Sequence, residues 1–99
     1  MKRNRKAKIL ATLGPVSSSI DIIEKMFLSG TDVFRLNFSH STIEEHRKNL
    51  ENIRSLEKKY NHSSCILADL QGPKLRIGNF SNKKVKYSIN MDYTILQNK

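Results

Sequence analysis

Several residue types are scarce in this chain of 99 residues, which has one cysteine and no tryptophan. A single thiol forms neither an internal disulfide framework nor a cysteine-based metal site, and it fits a reducing compartment. Cys65 stands in the apolar run 65–68, so we expect a buried thiol. No apolar run approaches the roughly 18 residues that a membrane-spanning helix needs, and the short run after the basic amino terminus stops at Gly14. We therefore expect a cytoplasmic protein without a membrane partner.

Acidic residues are also few, with 9 Asp and Glu against 18 Lys and Arg, which gives a formal net charge of +9. An excess of this size indicates a polyanionic partner: a nucleic acid, a membrane surface or a phosphorylated small molecule. The basic residues are spread over the ends and loops, without a helix-turn-helix, zinc or RNP-type aromatic pattern. A basic nucleic-acid-binding module is therefore an alternative, but we expect no dedicated nucleic-acid partner.

The spacing of apolar residues predicts strands that alternate with helices. Such an order implies parallel strands joined by right-handed crossovers, and so an α/β fold. Capping-box patterns at Ser18/Asp21 and Thr42/Glu45 predict the two helix starts, and Gly30 is suited to end the first helix. The predicted strands are 8–13, 31–38 and 64–70, and the predicted helices are 19–29 and 43–60. Two further short strands, predicted at 84–89 and 92–96, have a hairpin-like pattern that indicates a separate all-β element.

The second predicted helix has an apolar stripe that we place on one face. This interpretation leaves His46 and His62 on the surface. The stripe consists of Ile43, the stem of Arg47, Leu50, Ile53, Leu56 and Tyr60.

Residues 33–40 form a strand pattern with two different faces. Phe34, Leu36 and Phe38 point one way, whereas Arg35, Asn37 and Ser39 point the other way. The polar face thus carries an arginine, an amide and a hydroxyl near the carboxyl end of a strand, where ligands of α/β proteins bind. An edge strand with a solvated face would have the same pattern.

The carboxyl ends of parallel strands meet at one edge of a sheet. Four basic residues, Arg35, His40, Lys74 and Arg76, can therefore converge on one anion, and Asp69 can hold one of them in place. The sequence has neither a P-loop nor a G-x-G-x-x-G motif, and it has no histidine pair at metal-ligand spacing. Taken singly, each of these residues is equally typical of a solvated loop or a turn cap.

Three motifs resemble the first three barrel strands of the pyruvate kinase family: KILATLGP at 8–15, FRLNFSH at 34–40 and ILADLQGPKLRIG at 66–78. They occur in the family's order, with helices between them, and the resemblance covers about residues 7–79. It implies part of a TIM (β/α)8 barrel at 1–79, in a β-α-β-α-β order with parallel strands. Residues 80–99 resemble the start of the family's small β-rich lid domain.

The resemblance also implies roles for individual residues. Arg35 matches the arginine that binds the phosphate of phosphoenolpyruvate. Asn37, His40 and Arg76 match residues around the nucleotide phosphates.

Four further positions match the family's potassium shell: Asn37, Ser39, Asp69 and the position occupied by Leu70. Many family members have Thr in place of Leu70 and Glu in place of Lys74, and the pair found here resembles the branch that works without potassium. An ammonium group near Asp69 and Asn37 supplies the charge that the ion would have supplied. We therefore expect Lys74 to substitute for potassium.

The resemblance implies an enzyme of glycolysis that transfers a phosphoryl group from phosphoenolpyruvate to ADP, with Mg²⁺, in a homotetramer. A complete barrel needs about 250 residues. The family's divalent-metal carboxylates and catalytic lysine lie on later strands, so we expect no catalytic residue, no divalent-metal ligand and no activity from these 99 residues alone. The oligomeric state stays open, as do two alternatives: a component of a split enzyme, and an interaction module that completes another barrel.

Overall fold

A computed structural model describes residues 3–78, together with 81, 86 and 88–90. The chain alternates strands and helices, which confirms the predicted β-α-β-α-β order and the α/β class. The short strands predicted at 84–89 and 92–96 lie outside the described residues, apart from isolated positions. The elements are β1 (Leu10–Leu13), α1 (Ile20–Ser29), β2 (Val33–Asn37), α2 (Ile43–Tyr60) and β3 (Cys65–Asp69), with a 3₁₀ turn at Pro15–Ser17.

The three strands form one parallel sheet in the order β1-β2-β3, with β2 in the centre. The register places Thr12, Arg35 and Leu67 side by side. Asn37 pairs with Asp69 at the carboxyl end of β2. Since side chains alternate between the faces of a sheet, each such row lies on one face.

The core lies between one face of the sheet and the two helices. Phe34 and Leu36 point into it and are 0% and 3% exposed, which confirms the two-faced pattern predicted for β2. Burial of this kind stabilises a small domain by about 1.5–3 kcal/mol for each large apolar side chain. The remaining buried members are Leu13, Ile23, Phe27, Ile53 and Leu56.

The opposite face of the sheet is open to solvent. Leu10 is 49% exposed and Leu67 is 39% exposed. Cys65 is also exposed, so the prediction of a buried thiol was wrong. Its neighbour Ile66 packs against the core, and the alternation of the strand turns Cys65 to the open face. Within the described residues, the strand that contains the apolar run 65–68 is therefore covered on one face only.

The start of α1 differs from the prediction. Its N-cap is Ser19, which makes no side-chain capping bond, so the Ser18/Asp21 capping box was wrong. Ser18 is occupied elsewhere, because its Oγ donates to the Gly14 carbonyl oxygen at 2.7 Å. The predicted end is confirmed: Gly30 adopts φ +120°, and its N–H donates to the carbonyl oxygens of the last helical turn.

The start of α2 is as predicted. The Glu45 N–H donates to Thr42 Oγ1 at 3.2 Å, and the Thr42 N–H donates to Glu45 Oε2 at 2.9 Å. This reciprocal capping box satisfies two backbone donors that would otherwise lack partners. Asn61 ends the helix in the left-handed conformation. In the described part of the chain, no helix combines the length and apolar character that crossing a membrane requires.

Replacing Thr42 with Ala is expected to lower the free energy of unfolding by about 1 kcal/mol, because the Glu45 N–H loses its acceptor. Urea denaturation followed by circular dichroism measures the change. Thr42→Ser is the control, since its hydroxyl keeps the cap. Equal unfolding midpoints for the Ala and Ser variants would show that the cap contributes nothing.

The buried face of α2 is rotated relative to the predicted stripe. Ile43 is 66% exposed, and the Arg47 side chain is 63% exposed. His46 is buried at 6% exposure, so its predicted surface position was wrong. His62 is half-buried, with its ring edge-on to Phe27. The buried residues of α2 are His46, Asn49, Ile53 and Leu56.

Ion pairs with Asp32 hold the segment before β1 close to the end of α1. Arg3 Nη1 and Arg5 Nη1 lie 2.8 and 2.7 Å from the Asp32 carboxylate oxygens. The same guanidinium groups also donate to backbone carbonyls at the end of α1: Arg3 to that of Phe27 and Arg5 to that of Gly30. The helix dipole favours cations at this end of a helix. The sequence shows this segment only as a basic lead-in.

The Asp32 carboxylate is held in its charged form. The pKa of Asp32 lies well below its usual range, mainly because the Ile9 backbone N–H donates to Oδ2 at 2.7 Å. The hydrogen bonds from Arg3 and Arg5 lower the pKa further, while burial acts in the opposite direction.

Candidate functional site

The candidate site lies at the edge where the three parallel strands end, at Leu13, Asn37 and Asp69. Backbone hydrogen bonds tie the β2 end to the β3 end, since the Phe38 N–H donates to the Asp69 carbonyl oxygen at 2.9 Å. The polar side chains of β2 therefore stand at a fixed position on this edge.

Arg35 is held from both sides on the open face of the sheet. Its Nη1 donates to Thr12 Oγ1 of β1 at 3.2 Å, and its Nη2 forms an ion pair with the Asp69 carboxylate of β3. Asp69 thus holds Arg35, as the sequence suggested for one of the cations. The Arg35 side chain is still 29% exposed. Of the five N–H donors of a guanidinium, two are engaged in these bonds, and within residues 3–78 the others are available to an anion.

The turn after β2 is built on Asn37. Its Oδ1 accepts from the Ser39 N–H at 3.0 Å, and its carbonyl oxygen accepts from the His40 N–H at 3.1 Å. Bonds of this type form an Asx turn. Ser41 follows with φ +64°, a left-handed conformation that side chains rarely adopt. The turn thereby fixes Ser39 next to Asn37, and the Asn37 side chain lies on the same face of β2 as Arg35.

His46 supports this turn from α2, and the sequence analysis missed it. Its Nε2 lies 2.9 Å from the His40 carbonyl oxygen, and its ring stacks on Phe38 with centroids 4.4 Å apart. Its spacing along α2 is a signal that could have revealed it, because His46 precedes Asn49, Ile53 and Leu56 on one helical row.

Four other predicted site residues are exposed: His40, Leu70, Lys74 and Arg76. His40 belongs to the turn, whereas the other three follow β3 in an irregular segment. Within residues 3–78, neither Lys74 nor Arg76 forms an ion pair. The structure thus brings Arg35, Asn37 and Asp69 together, and within residues 3–78 it pairs neither of the two later cations with them.

The potassium shell suggested by the resemblance stays a prediction, and several of its oxygens already accept bonds within the described residues. Asp69 Oδ2 is paired with Arg35, and the Asp69 carbonyl oxygen accepts from Phe38. Asn37 Oδ1 is bonded to the Ser39 N–H, and Leu70 brings no side-chain oxygen. Among the described residues, no three His, Cys, Asp or Glu side chains form a group that could hold a metal ion.

The parallel βα sheet fits part of a βα barrel, and the comparisons with known proteins agree. The family model for the pyruvate kinase barrel domain matches residues 4–98. A pyruvate kinase of Agrobacterium vitis is 54% identical over 78 residues, which cover 79% of this chain. The pyruvate kinase of Buchnera aphidicola subsp. Baizongia pistaciae is 48% identical over 96 residues, which cover 97% of this chain.

The chain belongs to the pyruvate kinase family. It spans 16% of the length of the Agrobacterium relative and 20% of the Buchnera relative. The resemblance recognised in the three strand motifs is thereby confirmed.

Proposed function

We propose that this chain provides the phosphoenolpyruvate side of a pyruvate kinase site, at which a phosphoryl group passes to ADP and yields pyruvate and ATP in glycolysis. The family assignment supports this reaction, since the matching relatives are pyruvate kinases. The observation that carries the proposal is Arg35, which Thr12 and Asp69 fix on the open face while part of its guanidinium stays exposed.

In this proposal Arg35 binds the phosphate of phosphoenolpyruvate. Its fork is pre-oriented by partners on both neighbouring strands, so little side-chain entropy is lost when the anion binds. A fixed positive group near the transferred phosphoryl stabilises the charge that develops on its oxygens.

We assign Asn37, His40 and Arg76 to the nucleotide phosphates. Support comes from the turn after β2, which keeps Asn37 and His40 at the same sheet edge as Arg35. Arg76 is exposed beyond β3 and is free of ion pairs within residues 3–78. Its contribution therefore depends on the path of the segment after Asp69.

Pyruvate kinases generally use Mg²⁺ and K⁺. We propose that this chain needs no potassium, because Leu70 brings no side-chain oxygen to the shell and Lys74 supplies a positive charge of its own in the segment that follows β3. Bound Mg²⁺ would neutralise charge on the phosphoryl oxygens, and we place its ligands on residues other than those described. A homotetramer and a cytoplasmic location, as in the family expectation, stay predictions, as does the division into 1–79 and 80–99.

The exposed sheet face is compatible with a second candidate role, that of a split-enzyme component, and equally with further strands of the same polypeptide. Leu10 and Leu67 stand on the open face, where a further set of barrel strands would cover them. In this role, the same Arg35 serves a site that another chain completes.

The reaction is tested with a chimera. In this chimera, residues 3–78 replace the matching segment of the Agrobacterium vitis pyruvate kinase. We expect it to turn over phosphoenolpyruvate and ADP, because the two chains are 54% identical over the 78 residues that match. The purified 99-residue chain is expected to show no turnover under the same conditions. A coupled assay of pyruvate formation measures both.

The unaltered host enzyme is the positive control. A chimera with the host's circular dichroism and oligomeric state but without turnover would contradict the proposed function. Turnover by the 99-residue chain alone would contradict the expectation of inactivity. Turnover that appears only when the chain is mixed with a host enzyme lacking this segment would establish the split-enzyme role.

A further inference from the structure

His46 is a buried polar residue that the proposed chemistry does not use. It is 6% exposed and lies in the first turns of α2, behind the turn that follows β2. Its Nε2 faces the His40 carbonyl oxygen at 2.9 Å. Because a carbonyl oxygen only accepts, Nε2 must carry the proton and donate to it. The hydrogen bond therefore fixes both the orientation of the ring and its tautomer.

The same ring contacts the turn at a second point. It stacks on Phe38 with an angle of 26° between the two ring planes. His46 thus contacts the turn residues Phe38 and His40 at once. The turn needs such support, since Ser41 is held at φ +64° and backbone strain of this kind persists only where the surroundings impose it.

Arg35 is anchored by a separate set of bonds. Its partners Thr12 and Asp69 belong to β1 and β3, and neither bond involves α2. Loss of the His46 contacts should therefore move the turn more than the guanidinium of Arg35. The side-chain supports of the two halves of the sheet edge are separate, and the Phe38 N–H, which donates to the Asp69 carbonyl oxygen, links them through the backbone.

We propose that His46 is a positioning residue that sets the conformation of the turn 38–41, and with it the groups of Asn37 and His40 that face the nucleotide. It acts through the His40 carbonyl and the Phe38 ring and does not touch the substrate. This inference rests on the proposed function, because it assigns the nucleotide side of that same site to the turn.

Three substitutions of His46 in the chimera test the proposal. Gln can place an amide donor near the Nε2 position, whereas Asn reaches only the Nδ1 position and Phe keeps the stack without any donor. We expect His46→Phe and His46→Asn to raise the KM for ADP about tenfold, since small displacements of binding groups are costly. The KM for phosphoenolpyruvate should change less than about twofold. His46→Gln should restore most of the ADP affinity.

Ile53→Val is the matched control, because Ile53 is fully buried on the same helix and contacts the core instead of the turn. It is expected to lower Tm without changing the ratio of the two KM values. An unchanged ratio in His46→Phe and His46→Asn, or an equal rise of both KM values, would overturn the positioning role while leaving the proposed function intact. A folded chimera that is inactive with His46 and Arg35 intact would reject the proposed function, and this inference with it.

Discussion

Replacing Arg35 with Met in the chimera is expected to lower kcat/KM for phosphoenolpyruvate by about a thousandfold, the effect typical of losing one preorganised cation at a transferring group. Arg35→Lys keeps the charge but cannot reach Thr12 and Asp69 with one planar fork, so we expect it to recover only part of the loss. Steady-state kinetics with phosphoenolpyruvate varied at saturating ADP give the change.

Arg47 provides the matched control for Arg35. Its side chain is 63% exposed on α2, and its Nη1 lies 3.5 Å from Oε2 of Glu44 on the same helix. Arg47→Met removes the same charge without touching the sheet edge, so kcat/KM should stay within about twofold of the chimera. If the Arg35 and Arg47 variants had the same kinetics, the assignment of the substrate phosphate to Arg35 would be wrong.

Replacing Asp32 with Asn is expected to produce the largest loss of stability, with a fall in Tm of about 10 °C at neutral pH. The substitution removes the negative charge on which Arg3 and Arg5 converge and leaves the two guanidinium groups facing each other. Thermal unfolding of the 99-residue chain, followed by circular dichroism, gives the shift.

The pH dependence identifies the cause of that loss. The pKa of Asp32 is depressed in the folded chain, so its stabilisation is complete above the ordinary carboxyl range, near pH 4, and is lost as the pH falls further. The Tm difference between the original chain and Asp32→Asn should therefore be greatest at neutral pH and shrink below about pH 4. Glu44→Gln, at an exposed pair, should change little. A Tm difference that does not vary with pH would show that the charge is not responsible.

The parts of the fold that local chemistry determines were predictable from sequence. Thr42 and Glu45 satisfy each other's backbone donors, and Asn61 adopts the left-handed conformation, so both ends of α2 follow from residues close in sequence. The alternation of Phe34, Arg35 and Leu36 likewise predicted the two faces of β2. Asp69 was suggested as the partner of a cation because parallel strands end at the same edge.

The errors arose where tertiary packing selects among local possibilities. Ser18 fits a capping box with Asp21, but its hydroxyl donates to the Gly14 carbonyl in the preceding turn. Two stripes of α2 share Ile53 and Leu56, and only contact with the sheet and the turn shows that His46 belongs to the buried one. The exposure of Cys65 depends on what covers the open face, which periodicity does not reveal.

The order β1-β2-β3 bears on how the chain folds as well as on what it binds. Each strand pairs with the strand that follows or precedes it in sequence, and the helix between them closes the connection. A chain leaving the ribosome can therefore add one strand at a time, and each addition closes one helical crossover, whose entropic cost grows only slowly with its length. Each pairing still spans a whole helical crossover, since Leu10 pairs with Val33 and Val33 pairs with Cys65, so the sheet is expected to form more slowly than a helical bundle of the same size.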